Sequence, residues 1–395
     1  MAVIEYLENS FRDGCASVAA FSRADTADVR RLHAQLSAEP TRLALLPALA
    51  RKLGLRCVAV KDESGRFGLN AFKGLGGAWA VFRTLCRTLD LDPEKTTLAD
   101  LRREPLASRV QTQVFITATD GNHGKGVAWA AGLLGCHACV LMPRGTVEAR
   151  ARAVREAGKA ECHILNLDYD DCVFYAAQLA QERGWQLVQD TSWPGYEDVP
   201  FEIMRGYTTL VWEALDQMKA AGCGRPTHVL LQAGVGSMAG AVTAALAAEL
   251  GDAMPRVEIV EPFQAACIGA SMQAADGEIH PAAGMGPTVM AGLNCGTPCD
   301  LAWTYIRTFA YGTLLCGDET AERGMRLLGR PLPEDPRLVS GESGAVTAGV
   351  LDALCSKPEL AALREKLGLG PESVVLLIST EGATDPDHYR QVLES

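Results

Sequence analysis

Short runs of almost continuously apolar residues alternate with longer helical patterns along this chain, and this alternation restricts its fold more than any other feature. Strands that are apolar on both faces are typical of parallel sheets covered by helices on both sides. The alternation therefore predicts right-handed βαβ units and an α/β fold with doubly wound sheets. The predicted strands are residues 57–60, 114–118, 138–142, 162–165, 186–189, 228–232, 257–260 and 374–379. The clearest helical patterns are residues 145–156, 170–183, 239–250 and 343–354.

Length and charge narrow the class of protein further. A chain of 395 residues predicts two domains, or one large domain with an insertion. The formal net charge is −11 without a long basic run, which argues against nucleic acid or an anionic membrane surface as a partner. The uncharged run at residues 126–142 contains glycines and a histidine, so we interpret it as a buried helix followed by a buried strand and not as a membrane span.

Apart from the single CHAC at residues 136–139, the thirteen cysteines form no CxxC pair, and they show no paired Cys/His metal spacing. The first residues also lack the basic and then apolar pattern of a secretory signal. We therefore expect reduced thiols, a cytoplasmic location and no metal site.

Lys73 is the first candidate for chemistry, in the stretch NAFKGLGGAWA that begins at Asn70. Apolar surroundings disfavour the charged form of a lysine and so make the neutral, nucleophilic amine more available to a carbonyl group. The alternative is an ordinary helix lysine that reaches solvent.

A glycine-rich turn, GVGSMAG, follows the predicted strand 228–232 and opens the next helix at residues 234–240. Glycines let the backbone approach an anion, and the amino-terminal end of a helix favours a phosphate. The spacing is G-x-G-x-x-x-G, not that of a dinucleotide-binding loop. Tight packing of strand against helix is an equally good account of these glycines.

Two further loops follow predicted strands at the edge where ligands bind in open α/β sheets. TATDGNHG, from Thr117, brings together Asp120, Asn122 and His123. Asp120 could instead cap the following helix. Asp190 follows the strand 186–189 and either caps a turn or faces a cationic substrate. Ser379 ends the last strand, where its hydroxyl could bond a ring nitrogen or its own backbone neighbours.

A reactive amine, a phosphate-binding loop, a strand-end hydroxyl and a Gly-Asn-His-Gly loop together match the needs of pyridoxal phosphate. The chain resembles the fold type II (tryptophan synthase β-like) pyridoxal-phosphate enzymes, and within them the diaminopropionate ammonia-lyases. The matching segments are NAFKGLGG, TDGNHGKGVAWAA, QDTSWPGYEDVPFEIMRGYTTL, GVGSMAG, MAGLNCGTP, DPRLVSGESGAV and STEGATD. They occur in the family's order over nearly the whole chain.

The resemblance implies two three-layer α/β/α domains with the active site in the cleft between them. The large cofactor-binding domain would comprise residues 1–78 and 195–395, and the small domain, with the Asp-Gly-Asn-His-Gly loop, residues 79–194. The family habit is a homodimer. Cys267 and Cys295 lie in loops that could approach the cleft, either as a redox-sensitive pair or as inert thiols.

The resemblance also implies a role for each site residue. Lys73 would hold the cofactor as a Schiff base, and Lys73, Asp120 and Asp190 would be catalytic. The cofactor would also contact Asn122 through its phenolate oxygen, Ser379 (or, less well, Thr380) through its ring nitrogen, and Gly234, Val235, Gly236, Ser237 and Met238 through its phosphate. The substrate would contact Thr119, Asp120, Gly121, His123 and Asp190. Glu342 would lie near the cofactor without an assigned role.

The implied reaction is α,β-elimination of 2,3-diaminopropionate, in both enantiomers, to pyruvate and two ammonia through aminoacrylate, as a step of amino-acid catabolism. Lys73 would be the base on one face of the substrate and Asp120 on the other. The alternatives in the same fold are a dehydratase for serine, threonine or a 3-hydroxyamino acid, and a β-replacing synthase. Outside it, a nicotinamide-dependent dehydrogenase would use residues 234–240 with Glu261, and a non-catalytic relative would only sense a ligand.

Overall fold

The computed structural model describes residues 4–119, 121–284, 286 and 288–395, and its chain divides into two compact units. The larger unit comprises Met1–Arg23, Pro40–Ala71 and Leu210–Ser395. The smaller unit comprises Ala24–Glu39 and Phe72–Thr209. The sequence placed the small domain at residues 79–194, whereas the smaller unit also contains Lys73 and a separate amino-terminal segment.

Eleven strands occur in the described residues, and each belongs to one unit. In chain order they are β1 Ile4–Glu8, β2 Leu43–Leu45, β3 Cys57–Asp62, β4 Val114–Ala118, β5 His137–Met142, β6 Glu161–Ile164, β7 Gln186–Leu187, β8 His228–Gln232, β9 Arg256–Pro262, β10 Gly312–Cys316 and β11 Val374–Ser379.

The α-helices of the described residues number sixteen. They are α1 Ala27–Leu36, α2 Pro47–Leu53, α3 Gly74–Leu89, α4 Leu98–Leu101, α5 Leu106–Gln111, α6 Asn122–Leu134, α7 Glu148–Gly158, α8 Tyr169–Arg183, α9 Asp198–Ala220, α10 Ser237–Leu250, α11 Cys267–Ala274, α12 Asp300–Phe309, α13 Asp318–Gly329, α14 Glu342–Ser356, α15 Ala361–Leu367 and α16 Pro386–Glu394. No helix in the described ranges has the length and apolar character needed to cross a membrane.

The larger unit is built on a seven-stranded sheet in the order β1-β10-β9-β8-β11-β3-β2. The five inner strands are parallel, and the edge strands β1 and β2 are antiparallel to their neighbours. Leu230, Val375 and Leu377 belong to one large apolar cluster with the helices α13 and α14. The residues between them, such as Leu231 and Leu376, are also buried. The sheet is therefore covered on both faces, as the continuous apolar runs predict.

The smaller unit contains a four-stranded parallel sheet in the order β6-β5-β4-β7. Ile116 and Leu141 pack on one face against Ala176 of α8. Phe115 and Val140, which point to the opposite face, are equally buried. The predicted doubly wound α/β architecture is confirmed in this sheet as well.

Three predicted strands match the structure at both ends: β4, β8 and β11. Strands β1, β2 and β10 were not predicted. Strand β1 is an edge strand with charged residues, and β2 has only three residues. Strand β10 is as long as β8 and fully buried, so its apolar run was a missed signal. The predicted strand 186–189 is shorter in the structure, since the backbone N–H of Gln189 bonds the Tyr196 hydroxyl instead of a strand. The uncharged run is helix α6 followed by strand β5, as expected. Residues 281–298 are rich in glycine and proline, and their described part contains only a short 3-10 turn, Ala291–Leu293.

The charged turn after β3 is buried, unlike an ordinary charged turn at the surface. Lys61 is fully buried, and its Nζ lies 2.7 Å from Oε2 of Glu213 and donates to the Thr41 carbonyl at the same distance. Arg66 bridges Glu63 at 2.8 Å and Glu213 at 2.7 Å. Two cations and two carboxylates therefore compensate one another inside the larger unit, so removal of any one leaves a buried charge without its partner.

Candidate active site

Lys73 precedes α3 in the smaller unit, and its amine is ion-paired. Its backbone is already helical (φ −61°, ψ −17°), and its side chain is 20% exposed. The Nζ atom donates a 2.5 Å hydrogen bond to Oδ2 of Asp190. The expectation of purely apolar surroundings is thus incomplete, because a carboxylate lies directly against the amine.

Glycines allow the helices α3 and α6 to approach until their main chains touch. A Cβ atom on Gly126 would lie 3.0 Å from the carbonyl oxygen of Lys73. A Cβ atom on Gly77 would lie 3.0 Å from the carbonyl carbon of Gly126. Any side chain at either position would therefore displace the backbone that carries the reactive amine.

The loop between β4 and α6 is held by Thr119. Its Oγ1 accepts hydrogen bonds from the backbone N–H groups of Gly121 at 3.0 Å and Gly124 at 3.1 Å. A Cβ atom on Gly124 would lie only 2.3 Å from the Thr119 methyl group, so this turn requires glycine. Asn122 begins α6 directly after the loop. Asp120 lies outside the described residues, so its predicted role stays a prediction.

Asp190 is buried between two basic side chains of the smaller unit. Burial alone would raise the pKa of its carboxyl group, but His123, the Lys73 ammonium and the hydrogen bond from Lys73 outweigh burial and lower the pKa to about 2. The carboxylate is therefore ionised at neutral pH. It contacts the Lys73 ammonium, and helix α9 begins only at Asp198. The alternative that Asp190 faces a cationic substrate stays a prediction.

His123 is buried beside the same carboxylate. Its Nε2 donates to the Val188 carbonyl at 2.8 Å, since a carbonyl can only accept. Its Nδ1 lies 3.7 Å from Oδ2 of Asp190, too far for a hydrogen bond, and has no hydrogen-bond partner within the described part of the chain. Burial, and then the Lys73 ammonium, lower the pKa of His123 despite Asp190. The ring is therefore neutral, with an acceptor nitrogen on the side of Asp190.

Gln189 positions this cluster, although the sequence did not single it out. Its side-chain oxygen accepts from the Thr117 hydroxyl and the Ala118 backbone N–H, both at 3.0 Å. Its own backbone N–H donates to the Tyr196 hydroxyl at 2.8 Å. A buried glutamine directly before Asp190 is the signal that could have revealed it, since a buried amide must be bonded.

In the larger unit, the glycine-rich turn leads from β8 into α10, as predicted. Gly236 precedes the helix with φ +94°, a conformation that favours glycine. A Cβ atom on Gly234 would lie 3.0 Å from the Gly292 carbonyl oxygen. The turn therefore packs tightly and also presents the amino-terminal end of α10, which begins with Ser237 and Met238 and suits a phosphate. The two readings of the sequence are compatible.

Cys267 and Cys295 both lie beside Gly234. The Cys267 thiol donates to the Gly234 carbonyl at 3.4 Å, and Cys295 Sγ is 2.9 Å from the position of a Gly234 Cβ. Neither cysteine is part of a disulfide, and Cys267 is buried.

Ser379 ends β11 with its hydroxyl fully buried. Its Oγ is 2.8 Å from the Oγ of Ser340, a residue that the sequence did not single out. The neighbouring Thr380 hydroxyl accepts from Nε2 of Gln232, at the end of β8, at 2.9 Å. Gln232 thus links the strand that precedes the glycine-rich turn to the strand that ends in Ser379.

Residues 34–381 match the family model described as pyridoxal-phosphate dependent enzyme. The chain belongs to this family. The cofactor is accordingly pyridoxal phosphate, and the fold is that of the fold type II members.

Curated relatives of this pyridoxal-phosphate dependent enzyme match over nearly the whole chain. Diaminopropionate ammonia-lyase of Escherichia coli (strain K12) is 45% identical over 391 residues, covering 99% of this chain and 96% of the relative. A crystal structure of the Escherichia coli enzyme with an aminoacrylate-PLP azomethine reaction intermediate is 44% identical, with a TM-score of 0.90 and coverage of 100% and 97%. Its complex with D-serine has a TM-score of 0.92 at 44% identity, covering 99% of this chain and 97% of that one.

The residues of each unit fit the cofactor. The smaller unit supplies a lysine amine beside a carboxylate. The larger unit supplies a glycine-lined helix end of the kind that binds phosphate and a buried strand-end hydroxyl that carries no charge.

Glu261 has a structural role that excludes the dehydrogenase alternative. Its carboxylate is fully buried and accepts from the backbone N–H groups of Ile268 and Gly269, both at 2.8 Å, and from the Thr313 hydroxyl at 3.0 Å. It therefore caps helix α11 and has no exposed oxygen with which to bind a ribose.

Glu342 opens helix α14, and its Oε1 lies 2.5 Å from Nδ1 of His388. It is buried, whereas the His388 side chain is 25% exposed. The expected position of Glu342 near the cofactor stays a prediction.

One cluster of side chains of metal-ligating type occurs in the described residues, and it contains none of the predicted site residues. Cys139, Glu161 and His163, on β5 and β6, have donor atoms within 4.8 Å of one another. Glu161 and His163 are exposed. The predicted absence of a metal remains a prediction.

Proposed function

We propose that this protein catalyses α,β-elimination of 2,3-diaminopropionate, which with one water gives pyruvate and two ammonia. The similarity over 99% of the chain to a relative named diaminopropionate ammonia-lyase supports this proposal. The observation that carries it is the pair of acceptors formed by the Asp190 carboxylate and Nδ1 of His123.

These two acceptors suit a cationic substrate group. The β-amino group of diaminopropionate is an ammonium ion at neutral pH, with three N–H donors. Asp190 supplies a charge and the neutral His123 supplies a lone pair, so one ammonium can bond both. The hydroxyl of serine or threonine has one donor and no charge, and would leave the buried carboxylate poorly compensated once Lys73 no longer pairs with it.

The cofactor, bound to the lysine amine, supplies an acceptor for the electrons left on the substrate's α-carbon. We assign the other contacts as the family resemblance implies: Lys73 to the aldehyde carbon, residues 234–238 to the phosphate, Asn122 to the phenolate oxygen and Ser379 to the ring nitrogen. The substrate would also contact Thr119, Gly121 and Asp120. None of these contacts requires the ring nitrogen of the cofactor to be protonated.

Ser340 completes the hydroxyl contact. A serine hydroxyl has one proton and two lone pairs. When Ser379 donates its proton to a ring nitrogen, Ser340 can donate its own to Ser379 across the same 2.8 Å contact. The pair therefore stays fully bonded with a neutral ring nitrogen.

Proton transfer is assigned to Lys73 and Asp120, and charge pairing to Asp190. While Lys73 carries its charge, and despite burial, His123 and Lys73 lower the pKa of the Asp190 carboxyl group to about 2, so Asp190 is an ionised partner for cations. Asp190 therefore holds cations and orients the Lys73 amine, which removes the α-proton on one face of the substrate. Asp120 would act on the other face, so both enantiomers react. The D-serine complex of the Escherichia coli relative supports binding of a D-amino acid.

The test is a panel of D- and L-diaminopropionate, serine and threonine, scored by release of pyruvate or 2-oxobutyrate. We expect Lys73→Ala to abolish borohydride labelling and turnover, while Lys95→Ala, an exposed lysine, retains both. Asp120→Asn should lower turnover of mainly one enantiomer, by about 10²–10⁴-fold. Equal losses for both enantiomers would contradict opposite-face bases, and faster turnover of serine or threonine would favour the dehydratase alternative.

We also propose a homodimer in the cytoplasm that serves amino-acid catabolism. The thirteen cysteines, none of which is part of a disulfide, support a reducing compartment. Family habit supports the dimer, and light scattering of the purified protein measures it.

A further inference from the structure

Two cysteine thiols of the larger unit lie in contact, and neither belongs to a proposed site residue. The Sγ atoms of Cys57 and Cys223 are 3.3 Å apart. Cys57 is the first residue of β3, and Cys223 lies in the loop between α9 and β8. Both are free, and both are only partly buried, so that small oxidants can reach them.

We propose that Cys57 and Cys223 form a redox-active dithiol, which closes to an intramolecular disulfide when a disulfide such as oxidised glutathione acts on it. The two thiols lose two protons and two electrons, and the glutathione disulfide is reduced to two glutathione molecules. No other reactant is needed.

The surroundings of the two thiols suggest the order of the steps. Burial, and then the neighbouring Cys223, raise the pKa of Cys57 to about 12, so its thiolate is scarce at neutral pH. Cys223 attacks first, releases one glutathione and carries the other as a mixed disulfide. Cys57 then loses its proton, attacks the sulfur of Cys223 and releases the second glutathione.

The loop around Cys223 permits the required movement. A disulfide needs the sulfurs about 2.05 Å apart, so they must approach by somewhat more than 1 Å. Gly222 and Gly224 flank Cys223 at φ +73° and +75°, and a Cβ atom on either would meet nothing within 4 Å. The loop is therefore unobstructed on both sides of the cysteine.

The disulfide should stabilise the protein without blocking the proposed site. Within the larger unit, Cys57 pairs with Val374 at the start of β11, and Asp62 pairs with Ser379 at its end. Five residue steps along a strand separate the thiol from Ser379 by about 17 Å. The closed loop from 57 to 223 contains the segment Phe72–Thr209 of the smaller unit, and long loops gain most from such a link.

The experiment uses the cofactor-loaded enzyme equilibrated with oxidised glutathione. We expect mass spectrometry without reduction to find the 57–223 linkage, free thiols to fall by two per chain at this pair, and the melting temperature to rise by several degrees until dithiothreitol reverses it. Turnover should stay within about twofold of the reduced enzyme, because the link lies at the opposite end of the strand.

Variants separate a dithiol from two independent cysteines. Cys57→Ser should instead accumulate a stable glutathione adduct at Cys223, and Cys15→Ser, which removes an exposed thiol, should behave as the parent protein. As a second measurement, the reduced parent should retain one phenylarsine oxide per chain at this pair and Cys223→Ser should not. Separate glutathione adducts on both cysteines of the parent protein would overturn the proposal. So would a Cys57–Cys223 pair that stays reduced while Cys15 reacts with glutathione. An unchanged melting temperature of the linked form would also overturn it.

Discussion

The ion pair between Lys73 and Asp190 leads to a quantitative prediction for the protein without its cofactor, in which the amine carries a full charge. Asp190→Asn keeps the shape of the side chain and removes its charge. A carboxyl pKa lowered from 3.8 to about 2 corresponds to roughly 2 kcal/mol of extra stability for the charged form in the folded protein. We therefore expect the substitution to lower the free energy of unfolding at pH 7 by about this amount.

The effect has a defined pH dependence. Because the folded-state pKa lies below the unfolded-state value, the contribution of Asp190 is complete above the unfolded value and is lost as the pH falls through the folded one. At pH 3 the difference between parent and variant should be about half of its value at pH 7, by the same linkage relation.

The assay is urea unfolding followed by tryptophan fluorescence, with a double-mutant cycle that adds Lys73→Met. If the amine is the partner, the double variant should lose at least about 1 kcal/mol less than the sum of the two single losses. Additive losses would refute the ion pair as the cause. Asp198→Asn is the matched control, because Asp198 is 87% exposed and pairs with Arg87, so its loss should be within about 0.5 kcal/mol.

Three further predictions follow from buried contacts. Gly126→Ala places a methyl group against the Lys73 carbonyl, so kcat should fall at least about tenfold with a stability loss of about 1–3 kcal/mol, measured by pyruvate release and urea unfolding. Lys61→Met removes one of the two cations that pair with Glu213, which leaves two carboxylates with only Arg66, and should cost about 3–5 kcal/mol in urea unfolding. Burial raises the pKa of Glu261 to about 7, so its contribution to stability should decrease as the pH rises from about 4.5 to 7. Glu261→Gln should flatten that slope in a pH series of unfolding curves.

Matched controls distinguish these effects from general damage. Gly370→Ala places its methyl group in open space and should leave kcat unchanged. Lys95→Met removes an exposed ion pair and should change the free energy of unfolding by less than about 1 kcal/mol. An unchanged kcat of Gly126→Ala would contradict the backbone-contact argument. A loss of unfolding free energy in Lys61→Met as small as that in Lys95→Met would contradict the buried-charge argument. Parallel pH profiles of Glu261→Gln and the parent would contradict the titration argument.

The sequence could predict those parts of the fold in which a local residue pattern alone determines the type and limits of a strand or helix. Strands β8 and β11 are buried on both faces, so their inner residues are all apolar and polar residues occur only at the strand ends. The limits of both strands are therefore clear from the sequence. Edge strand β1 has glutamates at two of its five positions, and β2 has only three residues. Their pairing depends on contacts distant in sequence, which local patterns do not contain.

The same reasoning applies to the candidate site. Lys73, His123 and Asp190 were each recognised in a separate motif, but their grouping depends on contacts across 117 residues of sequence. Ser340 and the Cys57–Cys223 pair were missed because a single serine or cysteine has no local signature. Their partners become visible only when the strands are assembled.

The contact of Gly77 and Gly126 through the backbone near Lys73 has a consequence for protein engineering. The position of the backbone that carries Lys73 is set by main-chain contact and not by neighbouring side chains. Libraries that randomise the loop between β4 and α6 while retaining both glycines should therefore alter selectivity without displacing that backbone.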